Sequence, residues 1–259
     1  MPKLYEIPFL YDLAFRRTGI GPHVDGLIEC HKRFRHNHPL RSVLELAAGP
    51  SRHALEFVSR NYNAAVVDNC TEMCRYAAAL AKENELTLNV FLANMRDYTI
   101  PNKYDLAMIL LNSIGHLHTA SDLRSHLFAT WRHLNEDGLY VIEAHFPNWV
   151  DRTSLKRSSW LVEMKDLRLR VDFGTPDDDF DLDMLIRKVE LHILGDLRGE
   201  EIDYQDYLIL RSWSASALES VIVESEVFEI VAKLGALNPD IPFDPQESMR
   251  LVYVLRRLE

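Results

Sequence analysis

The chain has 259 residues, which is long enough to bury one substantial hydrophobic core, and its acidic side chains outnumber Lys and Arg by ten. This charge excludes general affinity for a nucleic-acid backbone outside a local basic patch, and the one candidate patch, His31–His38, is interpreted as a solvated helix end. No apolar run reaches the roughly 20 residues that span a bilayer, and the N-terminus lacks the apolar centre of a signal peptide. We therefore expect a cytoplasmic protein with neither a nucleic-acid nor a membrane partner.

The cysteines are sparse and odd in number, which favours reduced thiols over a disulfide framework. Cys70 and Cys74 are spaced to share a helix face, but no second pair of metal ligands lies near them in the sequence. We assign Cys70 and Cys74 to packing, and we expect no metal.

Residues 1–40 are predicted to form an N-terminal helical lid, and residues 41–146 alternate short apolar runs with helical patterns. Strands are predicted in SVLELAA, AAVVD, LTLNVFLAN, YDLAMILLNS and GLYVIEAHF, and helices in SRHALEFVSR, NCTEMCRYAAALAKENE and DLRSHLFATWRHLNEDG. Ser51 is the expected N-cap of the first of these helices, and Gly138 is expected to close the last. Strict alternation implies a parallel sheet with right-handed crossovers, whose ligands lie at the carboxyl ends of the strands.

Residues 147–213 have a different texture, with partly alternating strand-like stretches that predict an antiparallel β insertion over the substrate site. The acidic cluster Thr175–Asp183 is interpreted as a solvated loop. Residues 214–259 predict a helix and two final strands that return to the main sheet.

The stretch VLELAAGPSRHALEF joins a predicted strand to a helix, and such a turn binds anionic or polar ligands because unpaired amides point outward from it. A dinucleotide fingerprint requires three glycines, whereas this turn has Gly49 alone, so a nicotinamide or flavin dinucleotide is weakly supported. Glu45 lies inside the strand before the turn. Asp68 ends the next strand, where a carboxylate can accept both hydroxyls of a ribose.

These residues resemble the class I S-adenosylmethionine-dependent methyltransferases. ELAAGPSRH stands where that family has an acidic residue, a small residue and G-x-G, AVVDNCTEM is similar to its ribose-binding strand and following helix, and NMRDY is similar to its adenine segment. The resemblance covers Arg41–Phe146 and a little of the C-terminus. It implies a Rossmann-like α/β fold with a seven-stranded, mostly parallel sheet and helices on both faces, and S-adenosylmethionine as cofactor.

The resemblance also implies roles for individual residues. Glu45 neighbours the methionine end of the cofactor, Ala47 and Gly49 line the turn, and Asp68 with Asn69 binds the ribose. The residues implied to meet the adenine are Asn94 and Met95, followed by Arg96, and those implied to close over the sulfonium are Leu111 and Asn112. The chain departs from the family at Pro50, at Ser51 in place of the second glycine, and at Asn94 where Asp is usual.

The acceptor side is predicted in LLNSIGHLHT, which follows the fourth core strand. His116 is the candidate base, because an ordinary histidine pKa of about 6.5 lets it accept a proton near neutral pH, and His118 is the weaker neighbour. SIGHL is similar to the corresponding loop of the amino-sugar N,N-dimethyltransferases, and Tyr11-Asp12-Leu13 is similar to their N-terminal lid. This resemblance implies that Tyr11 and His116 approach cofactor and amine.

Further similarity to the amino-sugar enzymes lies at His145–Pro147, and glycine-type N-methyltransferases share much of the plan. The weaker candidates are His53 and His145 for the site and Trp149, Trp160 and Trp213 for the walls of a substrate pocket.

Our leading interpretation is a methyltransferase acting on nitrogen or oxygen of a small-molecule acceptor. The alternatives are a catalytically silent methyltransferase-like binding module, which the missing glycines favour, and a nicotinamide-dependent oxidoreductase. A symmetric homodimer through the insertion or the N-terminal helix is left open, since no residue argues for it.

Overall fold

A computed structural model describes residues 2–16, 19–35, 38–145, 155–248 and 250–259. The helices are α1 Pro8–Ala14, α2 Ile20–Phe34, α3 Arg52–Ser59, α4 Thr71–Glu83, α5 Ala120–Arg132 and α6 Ala215–Glu224. The first strands are β1 Ser42–Leu46, β2 Asn63–Asp68, β3 Asn89–Leu92, β4 Tyr104–Ile109 and β5 Leu134–His145. The later strands are β6 Ser158–Met164, β7 Leu167–Phe173, β8 Asp179–Asp181, β9 Ile186–Leu197, β10 Glu200–Arg211, β11 Phe228–Leu234 and β12 Arg250–Arg257. Short 3₁₀ turns cover Lys3–Glu6 and Ser113–His116.

The main sheet has seven strands in the order β3-β2-β1-β4-β5-β12-β11. Strands β1 to β5 pair in parallel, and β12 is antiparallel to both β5 and β11. The order reverses between β1 and β4, so the turns after these two strands border one crevice at the carboxyl edge. The predicted mostly parallel, seven-stranded fold is confirmed.

Both faces of the main sheet are covered by other parts of the chain. Strands such as β4 are therefore buried along their whole length. Helix α2 packs on one face through Val24, Leu27 and Cys30. Gly26 on the same helix lies close to the backbone at Leu237. A Cβ at position 26 would come within 1.7 Å of the Leu237 carbonyl oxygen.

The insertion forms a separate five-stranded antiparallel sheet, in which β6, β7, β9 and β10 are neighbours in that order and β8 pairs with β9. Alternate residues such as Leu169, Val171 and Ile193 point to one face and pack against Leu4 and Leu10 of the N-terminal segment. The predicted antiparallel insertion is confirmed, and its apolar face binds the first helix of the chain.

One predicted helix end is wrong. Helix α5 ends at Arg132 and not at Gly138, and β5 begins at Leu134, which pairs with Tyr104 of β4. Leu134 is fully buried, and burying it beside β4 outweighs the helical pattern of the preceding residues. Gly138 instead lies at an irregular part of the strand, where a Cβ would come within 2.8 Å of the Asn135 carbonyl oxygen.

Two charged segments are less solvated than the sequence predicts. Asp178 of the acidic cluster is buried and lies 2.7 Å from Arg187 in an ion pair. Arg35, within the basic run His31–His38, is buried too and donates to Asp105 over 2.8 Å. In both places the opposite charge compensates for the desolvation of the ion.

The described helices include none that is long and apolar enough to cross a membrane. Within the described ranges, no group of three or more His, Cys, Asp or Glu side chains is arranged to hold a metal ion. Cys30, Cys70 and Cys74 carry free thiols, and burial raises the pKa of Cys30 to about 12 and that of Cys74 to about 11.

Candidate functional site

The turn between β1 and α3 is built from residues with left-handed backbone conformations. Ala47 and Gly49 both have φ of +50°, and Ser51 has φ of +59°. Such angles are uncommon outside glycine and cluster at functional sites when the surrounding structure enforces them. Ser51 therefore keeps a glycine-like backbone although it carries a side chain.

Ser51 does not cap α3 in the predicted way. It occupies the N-cap position, but its hydroxyl donates to the carbonyl oxygen of Gly49 over 3.3 Å, and its side chain accepts no helix amide. The left-handed backbone explains the difference, because a capping side chain requires an extended N-cap residue.

Asp68, at the end of β2, ties two turns together. One carboxylate oxygen accepts the Gly49 amide over 2.8 Å and the other accepts the Cys70 amide over 2.9 Å. Burial raises the pKa of Asp68, while these amides act in the opposite direction. Each oxygen keeps a further lone pair, so the carboxylate can still accept from a ligand hydroxyl.

Glu45 is buried beneath the same turn. Its carboxylate accepts the Ala54 amide over 2.9 Å and lies 3.4 Å from Nδ1 of His53. Nε2 of His53 lies 3.2 Å from Nδ1 of His23 on α2, and the two imidazoles are stacked. The chain of three side chains fixes the first turn of α3 against both β1 and α2.

A cavity of about 430 Å³ opens beside this turn, within the size range of small-molecule sites. Its lining includes four of the predicted cofactor residues, Glu45, Ala47, Gly49 and Leu111, together with Tyr11. The remaining predicted residues, which do not line this cavity, are Asp68, Asn69, Asn94, Met95, Asn112 and His116. Asp68 is joined to it through the Gly49 amide.

The predicted adenine segment is held by buried histidines. His126 on α5 lies with Nδ1 2.7 Å from the carbonyl oxygen of Met95, and His133 accepts the Ile100 amide over 3.1 Å. Asn94 turns its side-chain oxygen back to accept the Arg96 amide over 2.9 Å. The segment is thus fixed to α5 and to His133, the residue that follows this helix.

His116 pairs with a tyrosine that sequence reasoning missed. The hydroxyl of Tyr5 lies 2.9 Å from Nε2 of His116, and the two rings meet edge to face. Burial, and secondarily the charge of His118, lowers the pKa of His116 to about 4, so its imidazole is neutral at physiological pH. His116 is therefore a weaker base than the ordinary histidine on which the sequence prediction depended. Burial first, and then Tyr11 and Asp68, raises the pKa of Tyr5, which therefore stays protonated.

The predicted lid tyrosine, Tyr11, lies beside Tyr5. Its ring stacks on Phe15 with centroids 4.8 Å apart and meets Tyr5 edge to face at 5.6 Å. A Cβ added to Gly49 would lie 3.7 Å from Tyr11, so this ring covers the glycine turn. The signal for Tyr5 was available in the sequence, since it precedes Tyr11 in the same aromatic N-terminal segment.

The other candidates have mainly structural contacts. Trp213 is buried in the main core and donates to the Leu117 carbonyl oxygen over 3.0 Å, and Trp160 donates to that of Ala14 over 2.8 Å. His118 lies 3.1 Å from the Ile209 carbonyl oxygen. Residues 146–154, with the Pro147 and Trp149 of the sequence predictions, lie outside the described ranges.

Residues 43–138 match the family described as methyltransferase domain, a region that runs from β1 into β5. The seven-stranded fold around this domain is shared with solved S-adenosylmethionine-dependent methyltransferases.

Particular relatives are distant. The glycine/sarcosine N-methyltransferase of Aphanothece halophytica is 27% identical over 108 residues, which are 41% of this chain and 41% of that protein. The match thus spans about two fifths of the curated relative's length.

Solved structures are similar over almost the whole chain. An S-adenosylmethionine-dependent methyltransferase from Clostridium acetobutylicum has a TM-score of 0.78 and 17% identity, with 96% of each chain covered. The sugar N-methyltransferase KedS8 from Streptoalloteichus has a TM-score of 0.74 and 21% identity, with 96% of this chain and 93% of that chain covered. At these identities the likeness concerns the fold.

Proposed function

We propose that the protein is an S-adenosylmethionine-dependent methyltransferase that methylates a nitrogen or oxygen of a small-molecule acceptor. The observation that carries this proposal is the pair formed by His116 and Tyr5, which stands at the carboxyl edge of the sheet close to the left-handed turn at Gly49. The match to a methyltransferase domain supports the cofactor, and the sugar and glycine/sarcosine N-methyltransferases among the similar proteins support nitrogen as the acceptor atom.

The residues of the site fit the cofactor. Left-handed backbone at Ala47, Gly49 and Ser51 turns the chain sharply at the start of α3, where backbone amides favour a polar ligand. Asp68 retains acceptor capacity for a ribose diol, and Glu45 with Gly49 shapes the methionine end. Asn94 and Met95 are assigned to the adenine.

When bound, S-adenosylmethionine supplies a methyl group activated by a sulfonium. The chain's own contribution is to align the acceptor for in-line displacement and to remove its proton. Neutral His116 accepts a proton at Nε2, and the Tyr5 hydroxyl lies within hydrogen-bond distance of this atom. An acceptor bound to the Tyr5 oxygen therefore passes its proton through that hydroxyl to His116, and Tyr11 forms the wall beside it.

Calorimetric titration of the ligand-free protein with S-adenosylmethionine and S-adenosylhomocysteine tests the cofactor. We expect micromolar binding of both and its loss in Asp68→Ala. Without binding of either compound to the wild type, a silent binding module would become the better interpretation.

A second set of variants tests the acceptor side. In a screen of small amines and phenols, we expect His116→Ala and Tyr5→Phe to lower kcat about 10²-fold or more while the affinity for S-adenosylhomocysteine stays unchanged. Tyr11→Phe keeps the ring over Gly49 and separates the contribution of the Tyr11 hydroxyl from that of Tyr5. Full turnover in both His116→Ala and Tyr5→Phe would refute the proton path.

A further inference from the structure

The turn that follows β4 contains two consecutive residues in the left-handed region. Leu111 has φ of +57° and Asn112 has φ of +63°. Asparagine tolerates this conformation, whereas leucine rarely adopts it because its Cβ crowds the following carbonyl oxygen. Leu111 lines the cavity, so the strained backbone lies at the candidate active site.

A buried carboxylate on the neighbouring strand holds this turn. Glu143 of β5 is 3% exposed, and its Oε2 accepts the Leu111 amide over 2.7 Å. The Glu143 carbonyl oxygen accepts the Asn112 amide over 3.2 Å. Both amides of the strained pair are therefore bonded to one residue.

The carboxylate is itself fixed from the other side. The second oxygen of Glu143 forms an ion pair with Arg250 of β12, a strand that pairs with β5. The Asn112 side chain accepts the His145 amide over 3.0 Å, which adds a second link to β5. Charge-assisted bonds to a buried carboxylate are among the stronger hydrogen bonds in proteins.

We propose that Glu143 is a positioning residue for methyl transfer, which holds Leu111 in its left-handed conformation against the cavity. We call the hydrogen bond from the Leu111 amide to the Glu143 carboxylate the clamp. The catalytic consequence of this clamp rests on the proposed function, but its existence does not. Glu143 does not line the cavity, so it acts through the backbone of Leu111. The 3₁₀ turn Ser113–His116 starts directly after this pair, and release of the clamp therefore also shifts His116.

Two isosteric variants make a matched test. Glu143→Gln removes a buried carboxylate paired with Arg250, and Asp105→Asn removes one paired with Arg35 at the opposite, amino edge of the sheet. Glu143→Ala removes the acceptor altogether. Each variant is examined by thermal unfolding, hydrogen–deuterium exchange and steady-state kinetics.

Exchange measures the clamp without any ligand. We expect the peptide that covers residues 110–116 to exchange at least about tenfold faster in Glu143→Ala, with a smaller increase in Glu143→Gln, and no change there in Asp105→Asn. Unchanged exchange of this peptide in a folded Glu143 variant would overturn the proposal. If Glu143→Ala does not fold, the comparison of Glu143→Gln with Asp105→Asn still decides.

Kinetics measure the positioning. We expect kcat to fall about tenfold or more in Glu143→Ala and less in Glu143→Gln, with a smaller change in KM for the acceptor, because a displaced active-site backbone costs alignment. An equal loss of kcat in Asp105→Asn would indicate a general structural role and overturn the proposal. If the wild type does not bind S-adenosylmethionine, the proposed function fails, while the exchange result still stands for or against the clamp.

Discussion

At the scale of single residues, the site is unusual in placing ordinary side chains on glycine-like backbone. Ser51 stands where the family it resembles has its second glycine, yet its φ of +59° preserves the conformation that glycine serves there. The residue that departs from the family pattern thus still adopts a left-handed conformation that favours glycine. The serine adds local backbone strain, but a cavity is still present beside the turn.

Replacing Ser51 by glycine is expected to raise the free energy of unfolding by about 0.5–1 kcal/mol, because relief of the left-handed strain exceeds the extra entropy of the unfolded chain. Ser59→Gly is the control, because Ser59 is the last residue of right-handed helix α3. This substitution is expected to lower the free energy of unfolding by a similar amount. Denaturant unfolding measures both, and destabilisation by Ser51→Gly would contradict the explanation.

His116 leads to a prediction about pH. Because burial lowers its pKa to about 4, His116 is the neutral, proton-accepting form above that value. With an acceptor that does not itself titrate between pH 4 and 8, kcat/KM should stay level down to about pH 5 and fall below it. A limb at the ordinary histidine pKa near 6.5 would mean that His116 is more solvated than its contacts imply.

At the scale of elements, close approach fixes how α2 packs against the sheet. Gly26 faces the carbonyl oxygen of Leu237 so closely that no side chain fits. A Cβ at Gly21 would meet the ends of two long side chains, Arg60 at 3.4 Å and Glu56 at 3.9 Å. Both glycines lie in the same helix. Glycine itself costs helix stability, so its presence at position 26 reflects packing.

Gly26→Ala is expected to destabilise the protein by about 1–3 kcal/mol, since the added methyl group forces α2 away from the backbone at Leu237. Gly21→Ala should be neutral or stabilise by up to about 1 kcal/mol through helix propensity. Thermal unfolding of the pair checks the interpretation, and equal effects would show that position 26 has room to adjust.

At the scale of the whole molecule, buried neutral histidines link stability to pH. Burial lowers the pKa of His126 to about 4, and burial together with Arg35 lowers that of His31 to about 4. The unfolded chain, in which both have their ordinary pKa of about 6.5, binds these protons first. The stabilisation is therefore complete above about pH 6.5 and is lost as the pH falls toward 4.

We expect the free energy of unfolding to fall between pH 6.5 and 4 by about 1.4 kcal/mol per pH unit for each of these histidines at the steepest point. His126→Gln removes one titrating group and should make the dependence shallower by one proton, although it also lowers stability at neutral pH. Denaturant titrations at pH 7.5, 6, 5 and 4.5 give the slope, and an unchanged slope in the variant would disprove the role of His126.

The sequence by itself determined the alternating core, the antiparallel insertion and the turn at Gly49, because hydrophobic period and turn residues are local signals. Local signals also predicted a helix that continues to Gly138. The helix ends at Arg132 instead, because Leu134 pairs with β4. Only the tertiary structure placed Tyr5 on His116, since 111 residues separate them and the contact exists only where the N-terminal segment meets the 3₁₀ turn after β4.

The same reason applies to Glu143. In the stretch GLYVIEAHF, Glu143 is a charged residue within a predicted buried strand. Nothing near it in the sequence indicates which group its carboxylate would bind. Its bond to the Leu111 amide depends on the lateral order of β4, β5 and β12, which sequence periodicity does not encode. Elements follow from neighbouring residues, whereas the contacts that shape the site follow from strand order and close packing.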